Sequence, residues 1–558
     1  MSEAPGAVSA EPTGATGLGE SGRSPGLRAG ERLLAFVPTR RAAVVLFVIA
    51  LGVFWFQALG WPMAKGRDTW DYLVYYLQLF DSNPPLSQVQ LFRAPLTPLA
   101  VGLPMDLGGS DLLEVVFGVF YAVTVVAWSA TALTFGRIPA LASAVLLLVY
   151  PAWATLYHQA SSDAVFATGL ALWALILARA YRRPTTGWFA ALGIGIAALV
   201  LIRPANQVLL PAVLAPLLAA APWRRRLTWV AVCLAAAVVP LAGWAAHNAI
   251  RYDDFTVTRG GRAWVPFLRV WLDDRTIAPQ NGPASRRLAR LVESHVLTEE
   301  PYRSLHVPLD AYLQNGSNYE TVRLIALSDR VLGRDTNYSV LFDSALEAIR
   351  KHPGTYARGV AGLFWDFLMQ RPIREGIAPR SQTAPEPPRP TYVAGGVTLP
   401  NPQATILLDG VPYGFVWCAS DYIDSCTLPD PSVVWKDPAM QQRYREVVGQ
   451  VRSWDAELPS RTGQAWVTGI LNRITPRFPR PPLWLAVGLI ALVWRRPRGW
   501  RTIAVLWAAS AAVLGIHAAS QGLAPEFSLP LYPVFIVTAL GALAGERAAP
   551  RPASAAAT

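Results

Sequence analysis

Apolar residues in this chain fall into long uncharged runs separated by short connections that carry arginine. The runs are too long for buried strands and too uniformly apolar for surface helices. They lie near 42–59, 113–134, 138–156, 164–180, 187–202, 204–222, 228–247, 482–494, 502–520 and 527–545, and they predict helices that cross a bilayer. The count is about ten, and the pattern accommodates roughly nine to twelve. Between 248 and 481 the pattern changes: the stretch is polar, holds most of the acidic residues, and its one apolar segment, Gly359–Trp365, is far too short to span. Helical spacing returns at Asn337–Arg350, where Val340, Leu341, Ala345, Leu346 and Ile349 share a face before His352-Pro353-Gly354 breaks it. Residues 371–440, rich in Pro and Gly, predict loops with short strands. The expected fold is an α-helical multispanning membrane protein with a mixed extracytoplasmic domain. Its parts are a disordered tail (1–40), an N-terminal transmembrane module (41–247), the extracytoplasmic domain (248–481), C-terminal spans (482–545) and a second tail (546–558).

Composition agrees with the patterning. The chain of 558 residues is 53% hydrophobic and only 15% charged, with a mean hydropathy of +0.30, which excludes an ordinary soluble protein. The net charge of +12 is almost wholly arginine, since the only lysines are Lys65, Lys351 and Lys436, and it reports topology rather than a nucleic-acid partner. Arg137, then Arg179, Arg182 and Arg183, then Arg224–Arg226, then Arg495, Arg496, Arg498 and Arg501, then Arg547 and Arg551 occupy alternate connections. With Arg32, Arg40 and Arg41 before the first run, this positive-inside pattern predicts that both termini are cytoplasmic in the plasma membrane. The connections 60–112, 157–163, about 203, 248–481 and 521–526 then lie outside. No small-residue cleavage site follows the first run, so it is expected to remain as an anchor.

Every stretch with chemical interest falls on that outer face. Just after the first span the chain reads Arg67-Asp68-Thr69-Trp70-Asp71-Tyr72-Leu73-Val74-Tyr75-Tyr76, putting two carboxylates and an aromatic cluster at the bilayer surface. Asp68 and Asp71 also suit an N-cap and its capping-box-like partner, and the tyrosines suit an interfacial belt. Tyr157-His158-Gln159-Ala160-Ser161-Ser162-Asp163 forms a short outer turn with a third carboxylate, and Ser161, Ser162 or Asp163 is equally able to cap the next span. Arg203, between Leu201-Ile202 and Pro204, is a guanidinium at an apolar helix end on the outer side. It either snorkels to the headgroups or clamps an anion such as phosphate. Arg93, Arg259 and Arg262 are further outer cations, each also readable as a surface charge. Cys418 and Cys426, on the oxidising side in a turn-rich segment, are expected to pair as a disulfide, and Cys233 in a span is expected to be packing.

The order of these features resembles the C-type (GT-C) glycosyltransferases, such as protein O-mannosyltransferases and the aminoarabinose transferase of lipid A. Asp68-x-x-x-Tyr72 resembles their first-loop acidic motif. Arg93-Ala94-Pro95-Leu96-Thr97-Pro98 resembles the Arg-Pro-x-x-Pro segment that follows it. Ser162-Asp163-Ala164-Val165-Phe166 looks like the second acidic turn, and Leu201-Ile202-Arg203-Pro204 like the Arg-Pro span junction. His247–Tyr252 and Gly260-Gly261 are similar to the start of the later external region. Where members often carry Arg-Tyr before the last span, this chain reads Ala524-Pro525-Glu526-Phe527.

The resemblance implies a cell-envelope enzyme that moves a hexosyl or pentosyl group from a polyprenyl-phosphate donor to an acceptor hydroxyl with inversion. Asp68 would be the base and Asp163 would orient acceptor or sugar. Arg203, helped by Arg93, would hold the donor phosphate. Asp71, Tyr72, His158, Arg259 and Arg262 complete the candidate substrate-binding set. A departing phosphate is a weak base that needs charge stabilisation more than a proton, so one base plus cations is sufficient. Some members hold a divalent metal through Asp-x-Asp or Asp-x-Glu, but the spacing here is Asp68-x-x-Asp71, and no required metal or other cofactor is expected. The sequence carries no Gly-rich nucleotide loop. A lipid or solute transporter, or a membrane-anchored binding or assembly protein, are the alternatives from other classes; the acceptor, whether protein, lipid or glycan, is left open.

Overall fold

The computed structural model describes residues 37–66, 68–81, 92–298, 302–314, 316, 318–333, 338–369, 391–394, 397–400, 407–408, 411–412, 438–458, 463–495, 497, 499–520 and 527–545. Cys418 and Cys426 lie outside these residues, as do the two predicted tails but for 37–40. Cys233 is buried within a span.

Five helices are long and apolar enough to cross a bilayer alone: Arg40–Gly60, Leu96–Ala132, Ser162–Arg182, Trp223–Tyr252 and Trp500–Ser520. Arg137–Val149 and Pro151–His158 form a broken span bent by 67°, and Thr186–Ile202, Pro204–Leu218, Pro481–Arg495 and Leu529–Ala544 are shorter apolar helices. Each predicted run coincides with one of these, so the chain is a multispanning helical membrane protein. The first helix has only 17% of its apolar window buried, against 67% for Ser162–Arg182, so the former faces lipid and the latter forms the centre of the bundle. Around that centre pack Phe117, Tyr121, Trp128, Trp153, Tyr157 and Trp173, all fully buried.

Two spans depart from regular geometry. Helix Leu96–Ala132 begins well ahead of the predicted 113 and breaks at Gly108 and Gly109, the latter at φ 63°, a conformation glycine adopts without a Cβ penalty. Pro204–Leu218 is a 3-10 helix carrying Pro211 and Pro216, whose missing amide hydrogens and rings disfavour the α-helical ladder.

The predicted helix at Asn337–Arg350 is observed as Ser339–Lys351. It packs on Pro283–His295, and its Glu347 accepts hydrogen bonds from the amides of Ala284 (2.9 Å) and Ser285 (2.8 Å) and from the Ser285 hydroxyl (2.8 Å), capping that neighbour's N-terminus. The apolar segment Gly359–Trp365 sits inside helix Pro353–Met369, which lies against the span Trp500–Ser520. Two short antiparallel hairpins, 391–394 with 397–400 and 407–408 with 411–412, are the described part of the Pro/Gly-rich stretch.

Candidate active site

The loop after the first span docks onto the turn before Ser162. Ala64–Lys65 pairs in parallel with Gln159–Ala160. The Thr69 hydroxyl donates to Ala160 O at 2.7 Å and accepts from Gly66 N at 2.8 Å. A Cβ on Gly66 would stand 2.7 Å from the Ser161 Cβ, so only glycine lets the two loops meet this closely. Helix Thr69–Gln78 then runs outward from this junction with Tyr72, Leu73, Val74 and Tyr75 buried.

Asp68 stands at the N-cap position but in the left-handed region, φ 62°, and its side chain makes no capping bond. Instead its carboxylate accepts from Arg93 Nη1 at 3.1 Å, while Arg93 Nη2 bonds the Asp71 carboxylate. The capping expectation fails for Asp68 because its backbone points the carboxylate away from the free amides. Burial lifts the Asp71 carboxyl above its ordinary range and the Asp68 charge adds to this, with Arg93 opposing.

A second ion pair faces the first. Arg203 Nη1 lies 2.5 Å from Asp163 Oδ1, with the two side chains 13% and 3% exposed. The guanidinium is flanked by the rings of Phe166 (5.9 Å) and Phe527 (5.4 Å). It therefore turns into the protein, and the snorkelling alternative does not hold. Ser161, not Asp163, serves as N-cap, accepting from Asp163 N at 3.3 Å. Thr97, just beyond Arg93, donates to Ile202 O at 2.9 Å, tying the segments of both cations together.

Tyr72 joins the two pairs. The Arg93 guanidinium stacks 5.5 Å from its ring. Burial pushes its phenol up to about 12, with the Asp68 charge adding to the rise, while Arg93, Arg203 and a hydrogen bond with Ser162 act the other way. The phenol is thus a neutral donor at physiological pH, within electrostatic reach of both clusters.

The remaining predicted residues lie elsewhere in the surroundings. His158 is not brought to the cluster: it is fully buried, stacked 4.5 Å from Phe54 and 3.4 Å from the Gln57 side-chain oxygen, because the 3-10 turn Thr155–His158 directs its ring toward the first span. Arg259, predicted as a surface charge or ligand, is buried, 3.5 Å from Asp254 and over the Tyr338 ring at 5.0 Å. Arg262 lies over Phe342 at 4.3 Å. Both cations therefore contact the start of helix Ser339–Lys351, at Tyr338 and Phe342, while Phe92 links Tyr338 (5.9 Å) to the neighbourhood of Arg93. Ser162, Phe166 and Phe527 were missed as functional residues; the first two stood inside the quoted acidic turn, and only the fold brings Phe527 to Arg203.

A divalent cation between Asp68 and Asp71 would have to displace Arg93, and among the described residues no group of three His, Cys, Asp or Glu is placed to hold one. These residues do not make a metal site.

A family model described as dolichyl-phosphate-mannose-protein mannosyltransferase matches residues 93–245. The resemblance to C-type glycosyltransferases is borne out. The matched segment contains Arg93, Asp163 and Arg203 of this GT-C-like protein and begins after Asp68 and Tyr72. Among solved structures, ArnT from Cupriavidus metallidurans in the apo state is 12% identical, with 90% of this chain and 76% of that one covered at a TM-score of 0.30. ArnT bound to undecaprenyl phosphate is likewise 12% identical, with 91% and 78% covered at 0.31. No curated protein matches.

Proposed function

We propose that the protein transfers a hexosyl or pentosyl group from a polyprenyl-phosphate donor to an acceptor hydroxyl at the outer membrane surface, with inversion, both termini lying on the cytoplasmic side. The observation that carries this reading is the convergence of two carboxylate–guanidinium pairs, Asp68/Asp71–Arg93 and Asp163–Arg203, on two loops joined by a strand pair and by Tyr72. The acceptor oxygen attacks the anomeric carbon and gives its proton to the Asp68 carboxylate. The bond from that carbon to the phosphate oxygen breaks, and the phosphate leaves with the electron pair. Arg203, oriented by Asp163 and by the faces of Phe166 and Phe527, stabilises the departing charge. In this reading Asp163 is a positioning residue for the cation rather than a group that orients the acceptor. Arg93 fixes the direction of the Asp68 carboxylate through its hydrogen bond.

The test is incubation of the purified protein with labelled polyprenyl-phosphate sugars and membrane extracts as acceptor source. Label should move to an acceptor with the wild-type protein and not with Asp68→Asn. Consumption of no such donor would overturn the reading in favour of an anchored binding or assembly protein.

A further inference from the structure

Helix Pro438–Glu457, remote in sequence from the loop that carries Asp68, lies across it. Its buried residues Tyr444, Val448, Val451 and Trp454 recur at helical spacing and form one apolar stripe, packed against Thr69–Gln78 and Leu96–Ala132. Three contacts then grip the acidic loop and its helix, and a fourth reaches the adjoining helix. Before Asp68, Lys65 Nζ lies 2.5 Å from Asp455 Oδ2. At mid-helix, the Tyr76 ring meets Trp454 at 6.3 Å. Beyond the helix end, Arg443 bonds the Asp81 carboxylate. On the adjoining helix, Glu457 accepts from Ser110 N at 3.4 Å, next to the break at Gly108 and Gly109.

We infer that helix Pro438–Glu457 is a brace that sets the position of the Asp68 carboxylate, with Asp455 and Arg443 as positioning residues for the reaction proposed above, on which this role in catalysis rests. Asp68 is a non-glycine residue at φ 62°. Such a conformation is strained and persists where surrounding contacts over-determine it. The strand pair and Thr69 hold the loop on one side, and the brace holds it on the other, at points on both sides of Asp68. The two ion pairs are half-exposed, with side-chain exposures of 41% and 27% at Lys65–Asp455 and 37% and 25% at Arg443–Asp81. Exposed pairs add little to global stability, so their effect is on where the loop sits rather than on whether the protein folds.

The experiment compares wild type, Asp455→Lys, Arg443→Ala and the exchanged pair Lys65→Asp/Asp455→Lys. It reads transfer from a panel of polyprenyl-phosphate-linked sugars and amide hydrogen exchange over residues 66–81. Since misplacing a reacting group by about 1 Å costs up to about 100-fold, Asp455→Lys and Arg443→Ala are each expected to lower kcat by roughly 10–100-fold. Donor KM should stay within about twofold, and exchange should rise within 66–81 while the spans keep their protection. The exchanged pair should recover most of both. Full kcat with unchanged exchange in both single variants would overturn the brace. So would loss of protection across the whole chain in both, which would make the helix a structural strut. If the wild type transfers no sugar while exchange at 66–81 still follows Asp455 and Arg443, the brace stands and the transferase reading falls.

Discussion

Replacing both members of the Asp163–Arg203 pair with apolar residues separates its part in folding from its part in chemistry. The side chains are 3% and 13% exposed and 2.5 Å apart. Removing one partner of a buried pair leaves an uncompensated charge and costs about 3–5 kcal/mol, whereas replacing both by residues of similar volume is close to neutral or stabilising. Asp163→Ala strands a guanidinium between two aromatic rings and is expected to lower the apparent unfolding temperature the most. Arg203→Met leaves a carboxyl that escapes part of the penalty by taking up a proton. Asp163→Leu/Arg203→Met should unfold near the wild-type temperature. Transfer behaves differently: if Arg203 stabilises the departing phosphate, Arg203→Met and the double variant both lose about 100–1,000-fold in kcat, the usual cost of one preorganised charge-stabilising donor. Thermal unfolding in detergent and a labelled-donor transfer assay read the two effects on the same preparations. A double variant that is stable and transfers at the wild-type rate would refute the role of Arg203, and a single variant with no loss of stability would refute the pairing.

Asp68→Asn should lower transfer by about 100–10,000-fold, the range for loss of a general base, with unfolding little changed because Asp71 still holds Arg93; appreciable transfer by this variant would remove Asp68 from the reaction. Gly102→Ala would put a Cβ 2.1 Å from Cγ of Tyr76. Overpacking of this kind costs about 1–3 kcal/mol, and here it pushes the acidic helix off its neighbour, so both stability and transfer should fall; unchanged transfer would show that the close approach is dispensable. Glu347→Ala removes three bonds at the start of helix Pro283–His295 and should destabilise by about 0.5–2 kcal/mol, as for other helix caps. Partial burial raises the Glu347 carboxyl, but the amides of Ala284 and Ser285, the Ser285 hydroxyl and Arg286 outweigh it and hold the group below its ordinary value of 4.5. A lowered carboxyl contributes stability that is fully present above the unfolded value and lost as pH falls through the folded one. The gap between wild type and Glu347→Ala, measured by urea unfolding across pH, should therefore close on acidification below about 4.5; a gap that widens would reverse the assignment.

The apolar runs were legible because hydropathy is a property of each segment alone, and each run coincides with helix, although the second begins at Leu96 rather than 113 and the third is bent into two pieces. What escaped was geometry set by single residues. The polar, glycine-rich stretch before 113 is helical on both sides of a break at Gly108 and Gly109, and the prolines from 204 to 216 turn an apparent span into a 3-10 helix. In the site, the order of motifs singled out Asp68, Arg93, Asp163 and Arg203, but not who pairs with whom. A capping box at Asp68 was a sound expectation from spacing, and one left-handed φ undid it. His158 was a candidate for substrate binding in the turn before Asp163, yet a short 3-10 turn sends its ring to Phe54.

The pairing itself follows from where the residues lie. A guanidinium in apolar surroundings at the membrane edge is costly without an anion beside it, so under the proposed reading a site built to receive a phosphate has to keep its cations neutralised while it waits. Asp163 does this for Arg203, and Asp68 with Asp71 does it for Arg93. An arriving phosphate then adds to or exchanges with a carboxylate that is already in place, instead of desolvating a bare cation. On this argument Asp71 and Asp163 serve folding as well as the site, since each neutralises a cation and makes an anion site foldable before its anion arrives.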